Sequence, residues 1–137
     1  MANEARNYNA KPLLWPSKAL KSLDSVTVVG ATGAAVMRLP HPCREFTVQL
    51  DKLVPAATHG STKAVVALQG KVSTGWTWFT LGGALNITSS AAALTRSTNA
   101  KAVLFARLSV TSFTTNLAST QADKANVTGY IAPIFGA

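Results

Sequence analysis

Cysteine and long apolar runs are nearly missing from this sequence, and each shortage excludes a class of protein. Cys43 is the only cysteine among 137 residues, which excludes an internal disulfide and a zinc site built from cysteines. No apolar run approaches the roughly 18 residues of a membrane-spanning helix. The first residues also lack an apolar stretch of signal-peptide length. We therefore expect a chain that is made and assembled in a cytoplasm, without a membrane partner.

Acidic residues and histidines are too few and too scattered to indicate an active site. His41 and His59 have no Asp or Glu at ligand spacing. A Cys43 nucleophile with His41 as its base would need an orienting third group and an oxyanion site, and the sequence suggests neither. A paired general acid and base would depend on an accident of folding, because all five carboxylates are separated: Glu4, Asp24, Glu45, Asp51 and Asp123. The sequence predicts no enzyme, no metal site and no cofactor.

One stretch has the glycine spacing of a dinucleotide-binding motif only in part. Residues 26–35, VTVVGATGAA, resemble the first strand and glycine turn of a dinucleotide-binding fold. However, Val36 occupies the third glycine position, and Pro40 and Pro42 come before a helix of useful length. We therefore expect neither nicotinamide nor flavin binding.

What the sequence does contain is a strand pattern centred on residues 63–81, KAVVALQGKVSTGWTWFTL. Apolar residues flank the turn signal Ser73-Thr74-Gly75 on both sides, which is typical of a β-hairpin. Its second strand carries two of the three tryptophans. We expect at least one of Trp76, Trp78 and Phe79 to be buried, so that replacing a buried Trp by Ala costs about 3 to 5 kcal/mol.

The rest of the chain continues this pattern. Short strands are predicted at residues 26–29, 35–39, 44–50, 84–88 and 124–131, a long strand at residues 102–111, and a polar connection at residues 89–100. No segment has the period of a helix of normal length. We therefore predict an all-β domain over residues 25–137, an antiparallel two-sheet sandwich that is jelly-roll-like or immunoglobulin-like. The pattern does not separate these two topologies.

Residues 1–24 differ in composition and predict an extended N-terminal arm. Residues 17–23 suit one or two helical turns with Ser17 as N-cap. Between Pro12 and Pro16 lie three apolar residues, Leu13, Leu14 and Trp15. We expect them either to fill a groove on a neighbour or to close one end of the chain's own core. Deleting residues 1–16 should leave thermal unfolding nearly unchanged and weaken attachment to a partner. The candidate partner-binding residues are Arg6, Lys11, Leu13, Leu14, Trp15, Lys18 and Lys21.

Positive charge dominates, with 13 Lys and Arg against 5 Asp and Glu and a net charge of +8. An anionic partner is therefore expected. No two basic residues are adjacent, and the aromatic residues of the hairpin are assigned to packing, so the sequence argues against nucleic acid. It favours a negatively charged protein surface, which dispersed positive charge can orient.

Three segments carry a family resemblance: residues 66–81, the end of a long strand at residues 108–111, and residues 127–132. Together they resemble small β-sandwich virion proteins of tailed bacteriophages, most of all head decoration (cement) proteins. The resemblance implies a non-enzymatic protein of the virion that binds the outer surface of the capsid and stabilises the shell. Its partner would be the major capsid protein or another virion protein, and it would form a homo-oligomer, commonly a trimer. The basic charge suits a shell-forming coat, tail or adaptor subunit equally well.

Overall fold

The computed structural model describes residues 19–55, 63–90, 92–114 and 125–135. These residues form strands and connections, with no helix among them. The strands are β1 (Leu20–Val26), β2 (Met37–Leu50), β3 (Val54–Pro55), β4 (Lys63–Lys71), β5 (Phe79–Thr88), β6 (Ala93–Thr114) and β7 (Ala125–Pro133). The predicted all-β class is confirmed.

The strands pair antiparallel throughout, in one continuous sheet. Its order is β1-β7-β2-β6-β4-β5, and the short β3 pairs with β7. The predicted division into two separate sheets is not confirmed, because hydrogen bonds link neighbouring strands along the whole path. Neither a jelly-roll nor an immunoglobulin topology describes this order.

The 22-residue strand β6 holds the two halves of the sheet together. Residues 93–106 pair with β2, and residues 105–114 pair with β4. A straight strand of this length would span about 70 Å, whereas a chain of this size has a radius of gyration of about 14 Å. Strand β6 must therefore bend, and each of its halves belongs to a different part of the curved sheet.

Curvature lets the sheet enclose its own core. Ser22 in β1 accepts a hydrogen bond from the Leu108 amide at 2.9 Å, although β1 and β6 are not neighbours in the sheet. The Gly30 amide donates to the Val110 carbonyl at 2.8 Å, and the Leu53 amide donates to the Thr88 carbonyl at 3.0 Å. These bonds join the sheet's edges to distant strands. A single cluster of buried side chains results.

The central hairpin is confirmed by the pairing of β4 with β5, but the expected aromatic core is wrong. Residues 72–78 form a longer connection, so Trp76 and Trp78 precede the second strand instead of lying in it. Trp76 is 68% exposed, Phe79 is 36% exposed, and Trp78 is half-buried. Aliphatic residues fill the core, together with Phe46 at 0% exposure.

Several predicted boundaries also shift. Strand β1 begins at Leu20, so residues 20–24 belong to the sheet, and the helical turn expected there is replaced by a strand. Strand β2 runs through Pro40 and Pro42, where an irregularity in its pairing with β6 accommodates residues that have no amide hydrogen. The polar connection expected at residues 89–100 is mostly the first half of β6.

Candidate cationic and aromatic binding face

Three cationic side chains lie against two aromatic rings on the outer surface of the sheet. The Arg107 guanidinium carbon is 4.0 Å from the centre of the Trp78 ring, and the Lys71 Nζ is 4.7 Å from it. The Phe105 ring has Arg38 at 5.7 Å and Lys71 at 5.9 Å. All four distances lie within the range of cation–π attraction. We call Arg38, Lys71, Trp78, Phe105 and Arg107 the cationic–aromatic face.

Strand register creates this face. Phe105 pairs with Arg38 of β2 on one side and with Lys71 of β4 on the other. Paired residues on neighbouring strands point to the same side of a sheet, so the three side chains form a row across β2, β6 and β4. Arg107 lies two residues further along β6 and therefore projects from the same side.

The opposite side of these strands is buried, which explains why the face points outward. Ala106 and Leu108 alternate with Phe105 and Arg107 along β6, and both are at 0% exposure. Gly70 precedes Lys71 and is also buried. Because core packing fixes the backbone, the cations and rings of the face stand on a well-anchored surface.

The turn at residues 72–78 extends the face. Lys71 Nζ donates to the Thr74 carbonyl at 3.4 Å, and the Trp76 amide donates to the Ser73 carbonyl at 3.2 Å. Trp76 is thereby presented at 68% exposure two residues from Trp78. At roughly 25 cal/mol per Å², covering the exposed part of an indole is worth about 3 kcal/mol. The turn therefore presents a large apolar side chain to solvent, two residues before Trp78 in the chain.

Arg107 is the most constrained cation of the face. Its Nε donates to Gln69 Oε1 at 2.9 Å, while its guanidinium lies over Trp78. Partial burial lowers the pKa of this guanidinium from its ordinary value, because desolvation disfavours the charged form. Arginine nevertheless stays protonated in proteins. Arg107 therefore offers a fixed positive charge and a flat surface.

Carboxylates of the described segments have partners elsewhere. Glu45 accepts a 2.7 Å hydrogen bond from Arg96, Asp51 accepts one from Gln49 at 3.4 Å, and Asp24 lies 3.8 Å from Lys21. None of these contacts involves a residue of the face. The charge of the face is thus open to an anionic partner.

A fourth cation lies beside the start of β5. Lys101 Nζ is 5.9 Å from the centre of the Phe79 ring. Both residues line a shallow groove of about 200 Å³ between β5 and the first half of β6. Phe79 pairs with Gly70, on the side of β4 opposite to Lys71, so this pair is separate from the cationic–aromatic face.

Only one of the predicted partner-binding residues falls within the described chain. Lys21 lies in β1, 3.8 Å from Asp24 and 5.7 Å from the centre of the Tyr130 ring. Its charge is thus partly compensated within its own strand. The other six lie outside the described residues, as does most of the predicted arm: Arg6, Lys11, Leu13, Leu14, Trp15 and Lys18.

The residues considered for catalysis have structural surroundings. Cys43 is 3% exposed, and its Sγ donates to the Glu45 carbonyl at 3.1 Å. His41 is on the surface of β2, with its ring 6.4 Å from that of Phe135 in an edge-on arrangement. His59 lies outside the described residues. Within those residues, no group of three or more His, Cys, Asp or Glu could hold a metal ion.

Two further grooves lie on the surface. One of about 320 Å³ lies between β5 and β6 and is lined by residues that include Gly82, Ser97 and Arg96. The other, of about 370 Å³, is lined by Ala19, Thr47, Gln49, Tyr130, Ile131 and Ala132. Neither contains His41 or Cys43, so neither is the pocket that an enzyme built on those residues would require.

Comparison with known proteins gives no match to any protein-family model, curated protein or solved structure. No helix of the described segments is long and apolar enough to cross a membrane.

Sequence reasoning missed the face because its members are dispersed along the chain. More than 30 residues separate Arg38 from Lys71 and Lys71 from Arg107. The sequence therefore contains no local cluster of basic residues that would indicate the face. The aromatic residues of the hairpin were expected to pack inward, which removed them as binding groups. The available signal was alternation: Phe105 and Arg107 share one side of a strand whose other side is apolar.

Proposed function

We propose that this chain is a non-enzymatic structural subunit of a virion, which contacts an anionic component of the particle through the cationic–aromatic face. The observation that carries the proposal is the row Arg38, Phe105 and Lys71 with Arg107 over Trp78, a surface to which no carboxylate of residues 19–55, 63–90, 92–114 and 125–135 is paired. Clustered positive charge beside partly exposed aromatic rings is typical of a binding surface.

The resemblance to decoration proteins supports the virion setting and suggests one placement. A decoration protein binds the outside of the shell, so its face would contact acidic groups of the major capsid protein. A shell-forming coat, tail or adaptor subunit is the second placement, and there the same face would meet the packaged genome or an acidic neighbour. Both placements use the chain as a homo-oligomer.

Electron microscopy and sedimentation of the purified chain test the proposal. Closed shells formed by the chain alone indicate a coat subunit, whereas a discrete oligomer that cosediments with preformed shells indicates decoration. In either case we expect K71Q/R107Q to weaken attachment to the anionic component. Lys63→Gln is the control, since it removes one charge at the other end of β4. A chain that neither assembles nor attaches to particles contradicts the structural role.

A further inference from the structure

We propose that the anionic partner of the cationic–aromatic face is single-stranded nucleic acid. This inference rests on the second placement of the proposed function, in which the same face meets the packaged genome, and it names the chemical form of that partner. It reverses the expectation from the sequence, in which basic residues are scattered and the aromatic residues are assigned to packing. In the structure the basic residues Arg38, Lys71 and Arg107 lie together, Trp76 is exposed and Trp78 is half-buried.

Charge and ring surface alternate across the face, and this alternation selects the partner. Single-stranded nucleic acid offers phosphates and unpaired flat bases in regular succession, so it uses cations and aromatic side chains together. Arg38, Phe105 and Lys71 form such a row across three neighbouring strands, which lie about 4.8 Å apart. The row therefore combines phosphate contacts with ring surface.

Arg107 and Trp76 favour base stacking over carboxylate binding. The guanidinium of Arg107 is held by Gln69 and lies over Trp78, so its plane is already fixed as a stacking surface. Trp76, a residue that is 68% exposed, adds a further indole. A run of carboxylates such as poly-glutamate would satisfy the cations but offers no flat ring to stack on this indole.

Stacking also selects single strands over duplexes. The faces of paired bases are covered by their neighbours inside a double helix, and only unpaired bases can be splayed onto aromatic side chains. A duplex would contact the cations through phosphates alone. We therefore expect a single strand to bind more tightly than a duplex of the same length and sequence composition.

Fluorescence anisotropy with the full chain and labelled oligo(U) tests this inference, with duplex RNA and poly-glutamate as competitors. Trp76→Ala should weaken binding about tenfold, because base stacking on an aromatic side chain is typically worth a factor of roughly five to a hundred or more. The dependence of affinity on salt should stay unchanged in this variant, since no charge is lost. Thermal unfolding of each variant serves as the folding control.

Lys71→Gln and Lys63→Gln form a matched pair, since both lie in β4 and both lower the net charge by one. Lys71→Gln should bring the slope of log affinity against log salt closer to zero by about 0.7, the contribution of one phosphate contact to a single strand. Lys63→Gln should leave the slope nearly unchanged. Equal effects of the two variants would show charge attraction without a defined face and would overturn the inference.

Two other results would also overturn it. If poly-glutamate displaces oligo(U) as well as unlabelled oligo(U) does at equal charge, the partner is an acidic protein surface. Undiminished binding by Trp76→Ala would remove the stacking argument. Failure of this inference is distinguishable from failure of the proposed function: assembly without nucleic-acid binding leaves the structural role intact, and nucleic-acid binding without assembly or attachment leaves only the inference.

Discussion

At the residue scale, the size of an aromatic side chain does not determine whether it is buried in this protein. Phe46 is the largest side chain at less than 2% exposure among the described residues, whereas Trp76 is larger and mostly exposed. Residue type alone assigns both to the core, because aromatic side chains carry the most apolar area. Position decides instead: Phe46 lies on the inner side of a central strand, and Trp76 lies in a turn.

Phe46→Ala should therefore destabilise the fold far more than Trp76→Ala. Removing a fully buried Phe costs about 3 to 5 kcal/mol, because transfer energy and a cavity both contribute. Trp76→Ala should change the free energy of unfolding by no more than about 0.5 kcal/mol, as is usual for surface substitutions. Urea unfolding of both variants measures the difference. Comparable losses would show that Trp76 is part of the core.

Gly70 lies at a buried position that has no room for a side chain. A Cβ at this position would lie 2.8 Å from Val103 Cγ1 and 2.9 Å from Leu81 Cδ1. Val103 is buried and β-branched, so its methyl groups have little freedom to move. Gly70→Ala should thus cost about 1 to 3 kcal/mol through overpacking.

Gly83→Ala is the matched control, since Gly83 lies in β5 and an added Cβ meets nothing within 4 Å. It should be neutral or slightly stabilising, because alanine restricts the unfolded chain more than glycine does. Thermal unfolding of the two variants compares them directly. A neutral Gly70→Ala would contradict the close approach of β4 to Val103.

At the element scale, closure of the sheet depends on a few polar contacts between strands that are not neighbours. Ser22 is 1% exposed, and its Oγ donates to the Ala35 carbonyl at 2.8 Å while accepting from the Leu108 amide at 2.9 Å. One hydroxyl thus joins β1, the connection before β2, and β6. An unpaired amide or carbonyl in the same buried position would carry a desolvation cost.

Ser22→Ala should destabilise the fold by about 1 to 3 kcal/mol, because it leaves two backbone groups without their partner. Hydrogen exchange at the Leu108 amide should also become faster, since this is the group that loses its acceptor. Ser90→Ala is the control: Ser90 is exposed, and its hydroxyl contacts Thr88. Unchanged protection of the Leu108 amide would mean that another group replaces the serine.

At the scale of the whole molecule, the single thiol reports on opening of the sheet where β2 meets the end of β7. Cys43 is 3% exposed and contacts the carbonyls of Glu45 and Ile134, at 3.1 and 3.6 Å. These partners belong to β2 and to the residues after β7. A reagent in solution therefore reaches the sulfur only when this part of the sheet opens.

The native chain should react with a thiol-specific disulfide reagent at least about a hundredfold more slowly than the chain unfolded in urea, because reactivity requires access as well as thiolate. Absorbance of the released thiolate measures both rates. The face variant Lys71→Gln should react as slowly as the unaltered chain. Equal rates in the native and unfolded states would show that Cys43 is accessible in the fold.

The sequence by itself determined the all-β class, the central hairpin, and approximate positions for β5, β7 and the second half of β6. These follow from local alternation of apolar and polar residues, which the strand period of two enforces. The first half of β6 escaped this reasoning because its residues are mostly polar or small and exposed. Pairing with β2, which local pattern does not encode, makes it a strand.

Tertiary structure alone decided the single curved sheet and the candidate site. Whether strands form one sheet or two depends on pairing between distant segments. Here β6 joins the two halves, because it pairs with β2 along residues 93–106 and with β4 along residues 105–114. The site needs Arg38, Phe105 and Lys71 in one row, which only the register of β2, β6 and β4 provides. Sequence distance gave no sign of it, since spatial neighbours in an antiparallel sheet are set by long-range hydrogen bonds rather than by chain order.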